Sequence, residues 1–189
     1  MIHPITTLPL SSKHRVSQIA FHPSSPYLAV QSHDRSVEIF RIRTEEEVRK
    51  KQARRLKRAK EKKEQAKTKG KGKEAGADED AEAEHKDVEL ADLFTPYLVV
   101  RASGKIRSFD FADAETNNKG NTSIFVALAT NALEVYSFPP PTKSKESQPE
   151  ATRSLSVELP GHRMDVRTLC LSSDDMLLAS ASNGEPILL

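Results

Sequence analysis

A long run of charge divides the chain and decides how much of it is free to fold. Between residues 45 and 87 the first part is dense in Lys and Arg (Arg49, Lys50, Lys51, Arg54, Arg55, Lys57, Arg58, Lys60, Lys62, Lys63, Lys67, Lys69, Lys71 and Lys73). The second part is acidic (Glu74, Asp78, Glu79, Asp80, Glu82, Glu84 and Asp87). Such a block buries too little apolar surface to offset the entropy of ordering it, so it faces solvent or a partner. The formal net charge of +2 hides this, because the two parts cancel. With the Pro-rich stretch 139–154 also set aside, about 120 residues remain for a packed core, close to one domain. The single cysteine, Cys170, excludes an internal disulfide and a Cys-rich metal site, which fits a reducing compartment. No run of about 18 apolar residues occurs, and Met1 to Ile5 lacks the basic and apolar regions of a secretion signal. These features predict a soluble, intracellular protein.

On either side of the run the pattern is that of short strands. Val16–Phe21 places Ile19 and Phe21 on one face, a turn follows at His22 to Pro26, and Tyr27–Val30 and Ser36–Ile42 are joined through Ser32, His33, Asp34 and Arg35. After the run come Tyr97–Val100, a turn at Ser103 and Gly104, Ile106–Phe111, a polar loop over 113–121, Ile124–Ala129 and Ala132–Phe138. A third unit opens at Gly161 and His162, with Val166, Leu169 and Leu171 as inward candidates and Leu177 and Leu178 beginning the next strand. Strands at this spacing, separated by Pro, Ser and Asp turns, read as antiparallel meanders. Three similar meanders predict a mainly β repeat architecture. The stretch 139–154, with four prolines and few apolar residues, predicts a loop without structure of its own.

The charged run has a defined start. Thr44 followed by Glu47 is a capping-box pattern, and Glu45–Arg49, Glu46–Lys50 and Glu47–Lys51 are successive pairs in the direction the helix dipole favours. A helix is predicted from Glu45 to about Lys67, with Val48 and Leu56 as its main large apolar positions, too few for a core-facing stripe. Gly70, Gly72 and Gly76 then predict disorder.

The third unit carries a family likeness. Gly161-His162, the strand with Val166, Leu169 and Leu171, and Leu178-Ala179-Ser180-Ala181-Ser182 resemble a WD repeat, whose blades open with Gly-His and carry a serine in the second strand. The first unit has Asp34 in the tight turn and Phe40 where such repeats place tryptophan. The likeness implies a hydrogen-bonded brace within blades, with Asp34, Phe40, Tyr136, His162 and Ser180 as its residues here. No unit has the whole set: Val30 stands at the serine position of the first, and in the second Asn131 replaces the aspartate and Tyr136 the tryptophan. There is no Trp in the chain, and another aromatic fills the same space.

The combination narrows the likeness. A unit ending Asp34–Ile42 that runs into the basic stretch 44–63, followed by Asn131–Phe138 and Gly161–Leu169, is similar to the middle blades of the U3 small nucleolar RNA-associated WD-repeat family. These are double-propeller subunits of the UTP-B complex in the small-subunit processome. The resemblance implies an incomplete WD-repeat β-propeller of about two and a half blades, with a long charged helical and disordered insertion. Its parts are a blade at 1–43, the insertion at 44–92, a blade at 93–138, the loop at 139–154 and the start of a further blade at 155–189. Family members are longer, with two propellers and a helical C-terminal domain, so the chain reads as a fragment or a truncated gene model. Two open sheet edges predict marginal stability or aggregation for this length alone.

Each chemical signal has a plain reading beside the functional one. Arg49, Lys50, Lys51, Arg54, Arg55, Lys57, Arg58, Lys60, Lys62 and Lys63 are candidates for contact with RNA phosphates or a protein partner. The same run equally suits a solvated helix or a nuclear-localisation signal. No aromatic residue lies between Val48 and Leu93, which argues against base stacking within it. The acidic tail reads as self-screening more readily than as a surface for a basic protein. His162 with Asp165 or Asp174 and Ser180 superficially resembles a catalytic triad, yet no nucleophile elbow or oxyanion motif accompanies it. His3, His14, His22, His33 and His85 form no metal-ligand spacing. Gly70-Lys71-Gly72-Lys73 lacks the spacing of a phosphate loop. Cys170, between Leu169 and Leu171, reads as a buried or half-buried small hydrophobe.

The sequence is therefore read as a non-enzymatic scaffold in small ribosomal subunit biogenesis, in nucleus and nucleolus, with no cofactor, metal, small-molecule substrate or membrane. Its implied partners are other processome and UTP-B proteins and U3 or pre-ribosomal RNA. The alternative is another nuclear WD-repeat adaptor, a chromatin or ubiquitin-ligase receptor, whose basic insertion is only an import signal.

Overall fold

Alternating side chains and short polar turns build antiparallel sheets from this chain. The structure is a computed structural model that describes residues 7–69, 90–113, 120–141, 149–158, 161–183 and 187. Its strands are β1 (Val16–Phe21), β2 (Tyr27–Ser32), β3 (Ser36–Ile42), β4 (Phe94–Arg101), β5 (Ile106–Phe111), β6 (Thr122–Leu128), β7 (Ala132–Phe138), β8 (Thr152–Glu158), β9 (Val166–Leu171) and β10 (Leu178–Ser182). Two helices, α1 (Glu45–Lys69) and α2 (Leu90–Leu93), fall between β3 and β4. The chain divides into two compact units, one of Met1–Leu8 with Arg43–Phe94 and one of Pro9–Ile42 with Thr95–Leu189.

Two sheets have four strands, in the orders β1-β2-β3-β4 and β5-β6-β7-β8, and a third pairs β9 with β10. This order moves the boundaries expected from sequence. The strand at Tyr97–Val100, read as the opening of the 93–138 blade, lies in β4 and completes the first sheet. The 139–154 loop ends in a strand, because β8 starts at Thr152, and β8 completes the second sheet instead of opening the unit at 155–189. The charged stretch thus interrupts the first sheet between two neighbouring strands and does not separate two sheets. Physics permits this, since each doubling of a loop adds only about 0.6 kcal/mol of closure cost. Within the helical unit the Arg43 N–H donates to the Leu93 carbonyl at 2.8 Å, tying together the two ends of the excursion. The disorder expected after Gly70 lies outside the described residues.

The main core lies between the two four-stranded sheets. Strand β6 shows how two-residue periodicity builds it: Ile124, Val126 and Leu128 point to the first sheet, while Phe125 and Ala127 join a second cluster with Val166, Leu169 and Leu178 of the third sheet. Both faces of β6 are covered, so its sequence reads as a nearly continuous apolar run. Tyr27 of the first sheet meets Phe138 of the second edge to face at 5.5 Å. Phe109, fully buried in β5, contributes roughly 2–3 kcal/mol through its burial.

Polar stitches fix the sheets against one another. The Gln18 side chain of β1 donates to the Phe109 carbonyl at 2.8 Å and accepts from the Phe109 N–H at 3.1 Å. Its oxygen also accepts from the Ser108 hydroxyl at 3.2 Å, and the Ser108 hydroxyl accepts from the Leu169 N–H at 3.3 Å. One line of hydrogen bonds therefore crosses β1, β5 and β9. Gln31, buried in β2, donates to the Ile106 carbonyl at 3.2 Å. On the opposite face of β1, Ile19 and Phe21 share a side as the alternation predicts, and both are about 60 % exposed. Replacing Gln18 with Met removes the stitch at similar volume and leaves the Phe109 backbone groups unpaired. A loss of about 2 kcal/mol is expected in chemical denaturation, against near-neutrality for the exposed Ser17→Ala.

Candidate functional site

Helix α1 begins where its cap requires. The Glu47 N–H donates to the Thr44 hydroxyl at 3.3 Å and the Val48 N–H to the Thr44 carbonyl at 3.1 Å. Glu45–Arg49 and Glu46–Lys50 stand at 3.7 and 3.8 Å, all four side chains well exposed, so these pairs add only tenths of a kcal/mol. The helix continues to Lys69, slightly beyond the expected end, for a length of about 37 Å. Val48 is buried and Leu56 is exposed. Gln52 donates to the Asp92 carboxylate at 3.2 Å, joining α1 to α2 within their unit.

The ten candidate cations all lie on α1. Arg49, Lys50, Arg54, Arg55, Lys57 and Arg58 are exposed and Lys51 is half-buried; the side chains of Lys60, Lys62 and Lys63 lie outside the described residues. Partial burial, then repulsion from Arg43 and Arg55, lowers the pKa of Lys51 from its ordinary value. Successive residues advance by 100° around a helix, so Lys50, Arg54, Lys57 and Arg58 share one face about 100° wide, with Arg49, Lys51 and Arg55 outside it.

The brace candidates fall in three sheets, and one pair meets. His162, buried ahead of β9, has Nε2 2.9 Å from the Ser180 hydroxyl in β10. Asn131, in the β6–β7 turn with φ of 57°, accepts from the Val166 N–H at 3.0 Å and donates to the His162 carbonyl at 3.3 Å. Asn tolerates this left-handed conformation better than most residues. Asp34 closes the β2–β3 turn by accepting from the Ser36 N–H and hydroxyl, each at 2.7 Å, and also accepts from the Ser12 hydroxyl at 2.9 Å. Phe40 is fully buried in β3.

Tyr136 belongs to a network that sequence reasoning did not anticipate. Its hydroxyl donates to the Glu134 carboxylate at 2.8 Å, and that carboxylate also accepts from the Ser103 N–H at 3.1 Å and from Arg153 at 2.8 Å. Burial pushes the Glu134 pKa up, but the bonds from Ser103, Tyr136 and Arg153 outweigh it and the net shift is downward. Glu38, buried at the matching place in β3, accepts from the Ser11 and Ser12 N–H groups at 2.9 and 2.8 Å. The available signal was a carboxylate inside two otherwise apolar strand cores, Val37-Glu38-Ile39-Phe40 and Leu133-Glu134-Val135-Tyr136. His22 was also missed as a structural group: its Nδ1 accepts from the Ser24 and Ser25 N–H groups at 3.2 and 3.0 Å, and burial lowers its pKa.

The WD domain, G-beta repeat family matches residues 3–41 and 153–185. The chain carries WD repeats. The second match begins in β8 of one sheet and runs through β9 and β10 of the next, whereas the strands of the first match, β1, β2 and β3, share one sheet. The chain is similar to U3 small nucleolar RNA-associated protein 12 of Saccharomyces cerevisiae, with 30% identity over 177 residues, 92% of this chain and 17% of that protein. It is similar to human WD repeat-containing protein 3, 31% identical over 51% of this chain and 9% of that protein. The WD repeat-containing protein 3 homolog of Dictyostelium discoideum is 26% identical over 89% of this chain and 14% of that protein. This WD-repeat chain spans less than a fifth of the length of each.

Asp165 and Asp174, the carboxylates read beside His162 and Ser180, are engaged by other groups. Asp165 pairs with Arg107 and Arg167, and Asp174 accepts from the Ser172 hydroxyl and the Met176 N–H. Cys170 corrects the sequence reading, for it is exposed. Leu169 takes the β9 face packed toward the second sheet, and alternation turns its neighbour outward. Slight burial and the Asp110 carboxylate push the thiol pKa up, away from nucleophilic character.

Replacing Glu134 with Leu removes the acceptor of the Ser103 N–H and of Arg153 and leaves the Tyr136 hydroxyl only the Arg101 carbonyl, with an expected cost of about 2 kcal/mol in denaturation. Because the folded Glu134 pKa lies below its ordinary 4.5, its contribution is present above that pH and disappears as pH falls through the folded value. His22 has its folded pKa below the ordinary 6.5, so stability falls as pH drops beneath 6.5 toward the folded value. His22→Asn retains an acceptor for the Ser24 and Ser25 N–H groups without titrating, and is expected to flatten that part of the stability profile measured from pH 7 to 5.

Proposed function

We propose that this chain is part of a non-catalytic WD-repeat scaffold in small ribosomal subunit biogenesis, working in the nucleolus. In this reading the sheets are blades of a propeller that the rest of the protein completes. Through Arg49, Lys50, Lys51, Arg54, Arg55, Lys57, Arg58, Lys60, Lys62 and Lys63, α1 reaches U3 or pre-ribosomal RNA and neighbouring processome proteins. The observation that carries it is the similarity to the yeast U3 small nucleolar RNA-associated protein across 92% of the chain. The unmatched remainder is shorter than residues 44–92, so the similarity extends into the charged excursion as well as the sheets.

Two features support a scaffold over a catalyst. His162 and Ser180 hold each other in a buried contact between the segment ahead of β9 and strand β10, and the nearby carboxylates serve arginines and turns. The helix offers exposed cations with few apolar anchors, which suits phosphate contact more than a protein groove.

The test is carried out in the full-length protein in cells. Arg49, Lys50, Arg54, Arg55, Lys57 and Arg58 are replaced together by Gln, and a heterologous nuclear-localisation signal is added to both forms. Nucleolar retention and RNA cross-linking are expected to fall several-fold for the neutralised protein even though it enters the nucleus. Loss of nuclear entry alone, fully restored by the added signal, would leave the adaptor with an import sequence as the better account.

A further inference from the structure

A second concentration of positive charge lies on the loops at one end of the two complete sheets. Strand register puts the segment before β1, the β2–β3 turn and the β4–β5 loop at this end. Backbone bonds hold them in place: the His33 N–H donates to the Arg15 carbonyl at 2.8 Å, Ala102 to Arg35 at 2.9 Å, Ile106 to Asp34 at 3.0 Å and Ala129 to Lys105 at 2.8 Å. His14, Arg15, His33 and Arg35 are exposed here, with Lys105 and Arg107 half-exposed beside them. The local carboxylates are engaged, Asp34 by Ser12 and Ser36, and Asp165 by Arg107 and Arg167.

His33 reports the resulting field. Its Nε2 lies 2.8 Å from the Lys105 ammonium. Although the ring is exposed, its pKa is lowered, first by Lys105, then by slight desolvation, Arg15, Arg107 and His14. The charged groups behind this shift, Lys105, Arg15, Arg107 and His14, are positive or become so on protonation.

We propose that this loop end is a second RNA-contact surface, one that binds the sugar-phosphate backbone through Arg15, Arg35 and Lys105, with the His14 and His33 rings available to stack on bases. The exposed large apolar side chains near it are Val16 and Met164, too few for the apolar centre of a stable protein interface. Arg forks match phosphate oxygens in pairs, and fixed loops lose little entropy on engaging them. The site shares only its ligand class with the role given to α1, since its residues belong to other elements.

The experiment uses the full-length protein with Arg49, Lys50, Arg54, Arg55, Lys57 and Arg58 already changed to Gln, so that α1 does not mask the result. Binding of an oligouridine RNA of about 20 nucleotides is measured against salt, with poly-glutamate as the acidic-peptide probe. Adding Arg15→Gln, Arg35→Gln and Lys105→Gln is expected to weaken RNA binding about tenfold and to make the log–log salt dependence shallower by about 2. Arg15→Lys with Arg35→Lys is expected to keep the salt dependence while losing only part of the affinity, which separates charge from misfolding. RNA addition to the unmodified loop end is expected to move the His33 titration, followed by NMR, to higher pH. Unchanged RNA affinity and salt dependence, or a His33 titration indifferent to RNA, would overturn the proposal. Tighter binding to poly-glutamate than to RNA, lost in the triple variant, would overturn it in favour of an acidic protein partner. Because α1 is neutralised in this background, failure here leaves the α1 result untouched.

Discussion

The structure depends on apolar packing between adjacent sheets, locked in register by a few buried hydrogen bonds. Ile124, Val126 and Leu128 fill one face of β6 and Phe125 and Ala127 the other, so the second sheet is a sandwiched layer with no solvent face at its centre. Apolar packing alone tolerates sliding. The line from Gln18 through Ser108 to the Leu169 N–H does not, because a shift of one residue would leave the Phe109 backbone groups and two side chains unpaired in the interior.

The same logic explains how a long polar excursion survives inside a sheet. β3 and β4 pair across it, and the extra closure entropy grows only with the logarithm of length. Arg43 and Leu93 join at the base of the excursion, and α1 is capped by Thr44 at its first turn. The exposed Arg54, Arg55, Lys57 and Arg58 then present their charge to solvent, where a ligand of opposite charge can meet it.

Strand content, the helix start at Glu45 and the repeat character were legible in the sequence, because each rests on local chemistry: period-two alternation, Pro and Asp turns, and a capping box. Strand membership was not. Tyr97–Val100 and Thr152–Glu158 look like any other strands, and only long-range pairing assigns them as the final strands of their sheets. Glu38 and Glu134 went unremarked because the donors that justify a buried carboxylate, Ser11, Ser12, Ser103 and Arg153, are distant in sequence. Cys170 was misplaced because a short apolar run does not reveal which of its faces is covered. The RNA-directed role of the cations rests on the likeness to relatives and on exposure along α1.

The most direct measurement is affinity purification of the full-length protein from growing cells, with RNA sequencing and mass spectrometry of what accompanies it, alongside a form lacking residues 45–87. The account predicts enrichment of U3 RNA, pre-ribosomal RNA and other small-subunit assembly proteins, with RNA recovery reduced in the deletion. Recovery of chromatin or ubiquitin-ligase components without these RNAs would contradict it.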